Sequence, residues 1–229
     1  MIIEVKNLYK DYYSGELVVP VLKDVSFSVE EGEYLAIMGP SGSGKSTLMN
    51  ILGLLDKPTA GAYRLAGEDT LVLSEKQLAA MRNQKIGFVF QRFHLLPSDT
   101  ALQNVMLPLT YAGVPARQRK QLAMDALEKV GLSDRLDFRP NQLSGGQSQR
   151  VAIARAMVTE PAILFADEPT GSLDSENGEQ IMELFEMLNA EGVTIVMITH
   201  EREIAKHAKR LLYIHDGRIS ESEGGAVHE

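Results

Sequence analysis

The chain has 229 residues, 44% apolar and 24% charged, with 31 acidic against 23 basic side chains and a formal net charge of -8. That length holds one large domain, or a core with an inserted subdomain, and the composition is that of a globular chain. The acidic balance argues against a surface that coats nucleic acid, and the lack of cysteine excludes disulfides, thiolate metal sites and a cysteine nucleophile.

The N-terminal stretch Met1–Leu8 is interrupted by Glu4 and does not have the pattern of a signal peptide. Alternation at Ile3 and Val5, and again at Val25, Phe27 and Val29, predicts half-buried antiparallel strands. Tyr34–Met38 is a short apolar strand that runs into the glycine-rich segment Gly39-Pro-Ser-Gly-Ser-Gly-Lys-Ser-Thr47. A helix is expected over 46–55, then a turn over Asp56–Gly61. Ile86–Phe90 reads as a buried strand ending at Gln91.

From about residue 92 to 158 the pattern turns helical. Arg117–Val130 carries Leu122, Ala126, Leu127 and Val130 at the spacing of one helical face, and Gly131 ends it. Ser144 stands where an N-cap belongs, ahead of a helix over Gln149–Val158. After Pro161, strand-like runs return at 163–167, 193–199 and 211–215, with helices between them. These runs are too short to span a bilayer and suit buried parallel strands. The pattern implies one domain over 1–229: an α/β core (1–91 and 159–229) interrupted by a helical insert (92–158), with a frayed tail at Glu221–Glu229. The chain itself reads as cytosolic, so any membrane role comes through a partner.

Gly39–Thr47 fits G-x-x-x-x-G-K-[ST], the phosphate loop of nucleoside-triphosphate binders. Gly39, Gly42 and Gly44 let backbone N–H groups, including those of Ser41 and Ser43, turn toward phosphate oxygens. The helix that follows adds a partial positive charge. Lys45 supplies a cation to the phosphates, the Ser46 hydroxyl a ligand to Mg²⁺, and Thr47 completes the motif. Ile163–Glu168 is an apolar strand ending in two carboxylates. Alone, that is also the pattern of a strand capped by solvated acids. Behind a phosphate loop it places Asp167 for Mg²⁺ and Glu168 as general base for an attacking water. His200 and Gln91 each stand just past a buried strand, the edge where ligands gather in open α/β sheets. His200 is read as a γ-phosphate contact and Gln91 as an amide meeting Mg²⁺ or the water. Ser144-Gly145-Gly146-Gln147 opens a helix and offers N–H groups and a hydroxyl to an anion. Since one phosphate loop already serves the chain's own nucleotide, a second anion site makes most sense on another nucleotide.

These residues resemble the nucleotide-binding subunit of an ATP-binding cassette (ABC) transporter, over nearly the whole chain and with the motifs in the family's order. They are Gly39–Thr47 (Walker A), Gln91 (Q-loop), Leu143–Gln147 (signature), Ile163–Glu168 (Walker B), Ser172-Leu173-Asp174 (D-loop) and His200 (switch). The resemblance implies a P-loop NTPase (RecA-like) core with an N-terminal antiparallel β subdomain and an inserted α-helical subdomain. It implies an ATPase in which two copies sandwich two ATP molecules with Mg²⁺, each ATP between Walker A of one chain and Ser144–Gln147 of the other. It also implies an aromatic residue stacked on adenine: Tyr12 by its place before Ser14-Gly15, with Tyr13 the alternative.

Within the family, Ile37–Asp56 and Ala166–Gly171 look like the macrolide-exporter and lipoprotein-release branch, in which the ATPase serves a permease with a large extracytoplasmic domain. Ser148 and Ser172 depart from that branch, which has Gln and Asn there; neither removes a phosphate or magnesium ligand. The chain stops at Glu229, so the expected permease is a separate polypeptide, holding this subunit on the cytoplasmic face of the inner membrane. Part of Phe93-His-Leu-Leu-Pro97 is expected to line the groove for a cytoplasmic helix of that permease. The alternative is that Phe93, Leu95 and Leu96 fill the core of the insert. The rival function is a soluble ABC-type ATPase acting on ribosomes or DNA without a permease.

Overall fold

The computed structural model describes residues 1–15 and 17–221; past Glu221, the frayed tail expected at Glu221–Glu229 lies outside them. The N-terminal strands β1 (Ile3–Ser14) and β2 (Leu17–Val29) form an antiparallel hairpin in which Ile3 faces Val29 and Val5 faces Phe27. β3 (Tyr34–Met38) ends at the phosphate loop, and α1 (Lys45–Leu52) starts at the loop's lysine. This helix stops at Gly53, short of Leu55, because Leu54 takes a left-handed conformation (φ 59°). β4 (Ala60–Leu65) and β5 (Glu68–Asp69) follow, then α2 (Glu75–Lys85) behind a Ser74–Gln77 capping box. Next come β6 (Ile86–Phe90), α3 (Ala101–Tyr111), α4 (Ala116–Lys129) and α5 (Gly145–Met157). The chain continues through β7 (Ile163–Asp167), α6 (Ser175–Ala190), β8 (Thr194–Thr199) and the short α7 (Arg202–Ala205). β9 (Arg210–His215) and β10 (Arg218–Glu221) close the described residues.

The strands form two sheets. One has the order β2-β1-β4-β5 and the other β10-β9-β3-β8-β7-β6. In the second, β9, β3, β8, β7 and β6 run parallel, with β10 antiparallel at the edge. Side chains alternate across it into two cores. Leu35, Ile37, Ile163, Phe165, Val196 and Ile198 pack with β1, β2 and α1. Ala36, Met38, Leu164, Ala166, Ile195 and Met197 pack with α3–α6. Burial on both faces is why these strands read as unbroken apolar runs. Each fully buried large side chain contributes about 1.5–3 kcal/mol relative to leaving it in water.

Two helices differ from the sequence reading. α5 starts at Gly145, directly behind the expected N-cap Ser144, and so adds residues 145–148 to the helical run expected over Gln149–Val158; Gln147 N–H donates to Ser144 Oγ and Ser144 N–H to Gln147 Oε1 in a capping box. With those donors satisfied, two glycines at the start do not break the helix. On α4 the buried residues are Ala123 and Leu127, while Leu122 stays exposed. Leu127 and Val130 are buried as expected, Ala123 takes the place of Leu122, and Leu122 and Ala126 line a surface groove against α5 and α6.

Candidate functional site

The carboxyl ends of β3, β7 and β8 lie side by side, since β8 pairs with β3 on one edge and β7 on the other. Above them is a cleft of about 770 Å³ lined by Val21, Met38–Gly42, Gly44–Thr47, Asp167, Glu168, His200, Arg202 and Tyr213. The fold therefore brings together, from residues more than a hundred positions apart, the phosphate loop, both carboxylates and the histidine singled out in the sequence.

The phosphate loop is shaped by close backbone contacts. Gly44 has φ 106°, and a Cβ there would lie 2.9 Å from Leu22 Cδ2, so only glycine fits where the loop meets β2. Lys45 Nζ donates to the carbonyls of Gly39 (2.7 Å) and Pro40 (2.8 Å), which fixes the ammonium over the loop. Ser46 is exposed to the cleft and Thr47 half-buried. Ser43 is buried and does not line the cleft; its Oγ has no hydrogen-bond partner among the described residues.

Across the cleft, Asp167 ends β7 partly buried. Its pKa is raised, first by burial and then by the charge of Glu168, with Lys45 opposing. Glu168 adopts a left-handed conformation (φ 46°), rare for a residue with a side chain and costing about 1–3 kcal/mol. Its N–H donates to Ile198 O at 2.9 Å, and its carboxylate is gripped at both oxygens. Thr199 Oγ1 donates to Oε2 at 3.1 Å, and His200 Nδ1 lies 2.7 Å from Oε1. The hydrogen bond and then the charge of Glu168 raise the His200 pKa.

These groups set the chemistry the cleft can host. A cation and backbone donors on one wall suit phosphate oxygens, and two carboxylates on the other suit a divalent ion and a proton acceptor. Ser46 and Asp167 are hard oxygen donors of the kind Mg²⁺ takes, and the amide of Gln91, outside the cleft, offers a third.

Besides Ser43, three predicted contributors lie outside this cleft. Gln91 is exposed at the end of β6, its side-chain amide packed on Gly171. Ser144–Gln147 sit at the start of α5, with Ser144 and Gly145 exposed and Gly146 buried so tightly that a Cβ would collide with Asn177 Oδ1. Tyr12 does not line the cleft: its hydroxyl donates to Asp56 Oδ2 (3.0 Å), and Lys10 Nζ lies 4.8 Å from its ring centroid. The two strand registers put Tyr12 opposite Val19. Conversely, Val21, Met38, Arg202 and Tyr213 line the cleft and were not singled out. Arg202, a cation two residues past His200, was the one such residue with a local signal; the others arrive only through folding.

A family model described as "ABC transporter" matches residues 22–171. The chain belongs to the ABC transporter family. It is 55% identical over 221 residues to the Bacillus subtilis (strain 168) ABC transporter ATP-binding protein YvrO, covering 96% of each chain. It is 52% identical to the macrolide export ATP-binding/permease protein MacB of Syntrophobacter fumaroxidans, over 99% of this chain but 32% of that one. Among solved structures it is similar to the ATP-binding cassette MJ0796, seen as a dimer in a post-hydrolysis state with ADP and Pi, at TM-score 0.87 and 44% identity. That match covers 97% of this chain and all of the other. The ABC ATP-binding fold, with its antiparallel and parallel sheets, is thus common to both, and the likeness to MacB agrees with the macrolide-exporter and lipoprotein-release branch.

Proposed function

We propose that this ABC subunit hydrolyses ATP as one half of a two-fold sandwich and so drives a separate membrane permease. The observation that carries the reading is the convergence of Lys45, Asp167, Glu168 and His200 on one cleft, while the second anion-facing segment, Ser144–Gln147, lies outside it. Such a segment serves a nucleotide held by another copy, in an isologous interface. The dimeric MJ0796 cassette with ADP and Pi supports that arrangement.

In the proposed reaction a water oxygen attacks the γ-phosphorus. The bond to the β,γ-bridging oxygen breaks, leaving ADP and inorganic phosphate. Lys45 and the loop N–H groups hold the phosphates, and Glu168 accepts the water's proton. His200, whose protonated form Glu168 favours, donates to the γ-phosphate. Ser46 and Asp167, with the Gln91 amide brought in from outside the cleft, would hold Mg²⁺, which would supply positive charge to the phosphates.

None of the helices among the described residues is long and apolar enough to cross a membrane. We place the subunit on the cytoplasmic face of the inner membrane through its permease, by the likeness to MacB, whose name joins both parts. Docking near Phe93–Pro97 is supported by exposed Leu96 and Pro97; Leu95 instead packs against the helical core.

Light scattering of Glu168→Gln with and without Mg-ATP tests the reading. Without the base, the sandwich accumulates before hydrolysis, so a monomer becomes a dimer only with nucleotide. A variant that binds ATP tightly and stays monomeric at all concentrations overturns the pairing through Ser144–Gln147.

A further inference from the structure

The backbone just after β6 is held by side chains from elsewhere. Gln149 Nε2 donates to Phe90 O (3.3 Å) and Ser172 Oγ to Gln91 O (2.7 Å). Arg155 donates through both terminal nitrogens, to Phe93 O at 2.8 Å and His94 O at 2.5 Å. Gln149 and Arg155 both belong to α5, the helix that opens with Ser144. Gln149 Nε2 also reaches Pro169 O at 2.6 Å, next to Glu168.

Phe93 and His94 are the second relevant feature. They take φ of 37° and 48°, two consecutive left-handed residues without glycine. Such a turn persists only where its surroundings over-determine it. Arg155 is what does so. It is half-buried, burial lowers its pKa, and no carboxylate among the described residues pairs with it. A cation placed there without a counter-charge is costly unless its hydrogen bonds serve the fold locally. The planar guanidinium fork suits two adjacent carbonyls, and a lysine has no such geometry.

We propose that Arg155 is a positioning residue for Gln91: by pinning the Phe93–His94 turn to α5, it holds Gln91 and the Ser144–Gln147 helix start in one fixed relation. This rests on the reading of Gln91 as a member of the ATP site. Loosening the turn would then cost turnover through Gln91, not through the phosphate loop, whose contacts Arg155 does not share.

A double-mutant cycle on steady-state ATP hydrolysis by the full chain, with Mg-ATP, tests this. Gln91→Ala and Arg155→Met should each lower kcat about tenfold with KM for ATP changed about twofold or less. Together they should lower kcat no further than the more severe single change, since both remove the same contribution. Arg150, on the same helix, donates to Gln180 Oε1 (2.6 Å) and Val130 O (3.4 Å), away from this turn; Arg150→Gln should leave kcat unchanged. Hydrogen exchange at residues 91–96 should speed up in Arg155→Met while that of α1 does not. Independent effects, with the double variant near a hundredfold down, would overturn the role of Arg155. A Gln91→Ala variant with unchanged kcat would instead overturn the reading of Gln91. If Arg155→Met fails to unfold cooperatively, Arg155→Lys, with one donor group for two carbonyls, carries the same cycle.

Discussion

The Glu168 carboxylate lies 2.7 Å from His200 Nδ1, so the proposed base and the proposed phosphate contact are bound to each other across the ends of two adjacent strands. Glu168 therefore biases His200 toward its protonated form. The pair is largely exposed on the histidine side and shielded on the glutamate side.

His200 should titrate above the ordinary histidine value of about 6.5, because Glu168 first bonds and then attracts its protonated ring. The folded pKa is raised, so the pair's contribution to stability is full below the ordinary value and is lost as pH rises through the raised one. In Glu168→Gln, the NMR titration of His200 should move down. An unchanged His200 titration in that variant would show that the pair does not form in solution.

Thr199 is buried, and its hydroxyl donates to Glu168 while accepting from Glu201 N–H at 3.1 Å. Thr199→Val keeps the volume and removes the grip on Oε2. We expect kcat to fall about tenfold with little change in KM, as for an interaction that orients a base and does not bind substrate. Steady-state kinetics beside a nucleotide-binding titration checks both halves of the expectation.

Leu96 is exposed, and its backbone is fixed at both ends by the buried Asn104, whose Oδ1 accepts from Leu96 N–H at 2.7 Å. Leu96→Glu should thus fold and hydrolyse ATP as the parent does in isolation. Stimulation by a reconstituted permease should be lost. Failure to fold would place Leu96 in the core of the helical insert instead.

Phe165 is fully buried in the middle of β7, against Phe88 with ring centroids 5.7 Å apart. Phe165→Ala should destabilise the chain by about 3–5 kcal/mol. Denaturant unfolding measures it, and a loss under about 1 kcal/mol would mean that the site's strand is not packed as described.

The strands that carry the site were legible because they are buried on both faces. Tyr34–Met38, Ile86–Phe90 and Ile163–Asp167 have the same bounds in sequence and structure. Lys45, Asp167, Glu168 and His200 followed from the ends of such strands. What stayed hidden depends on partners distant in sequence. The burial of Ala123 in place of Leu122 follows from the packing of α4 on α3 and α5, which no period within the helix reports. Tyr12 is turned to Asp56 by a side-chain contact spanning 44 residues. The start of α5 was legible locally, with Ser144 as its N-cap three residues ahead of Gln147. α2 was missed for its polarity, although Ser74 and Gln77 carry the same capping pattern.

β6 is the outermost strand of the parallel sheet, with β7 as its single neighbour, whereas β3 lies two strands further in. A push on the loop after β6 bends a margin, and the interposed β7 and β8 dilute it before it reaches Lys45. The lysine that grips the nucleotide is thus separated by two strands from the pinned turn through which Gln91 is set.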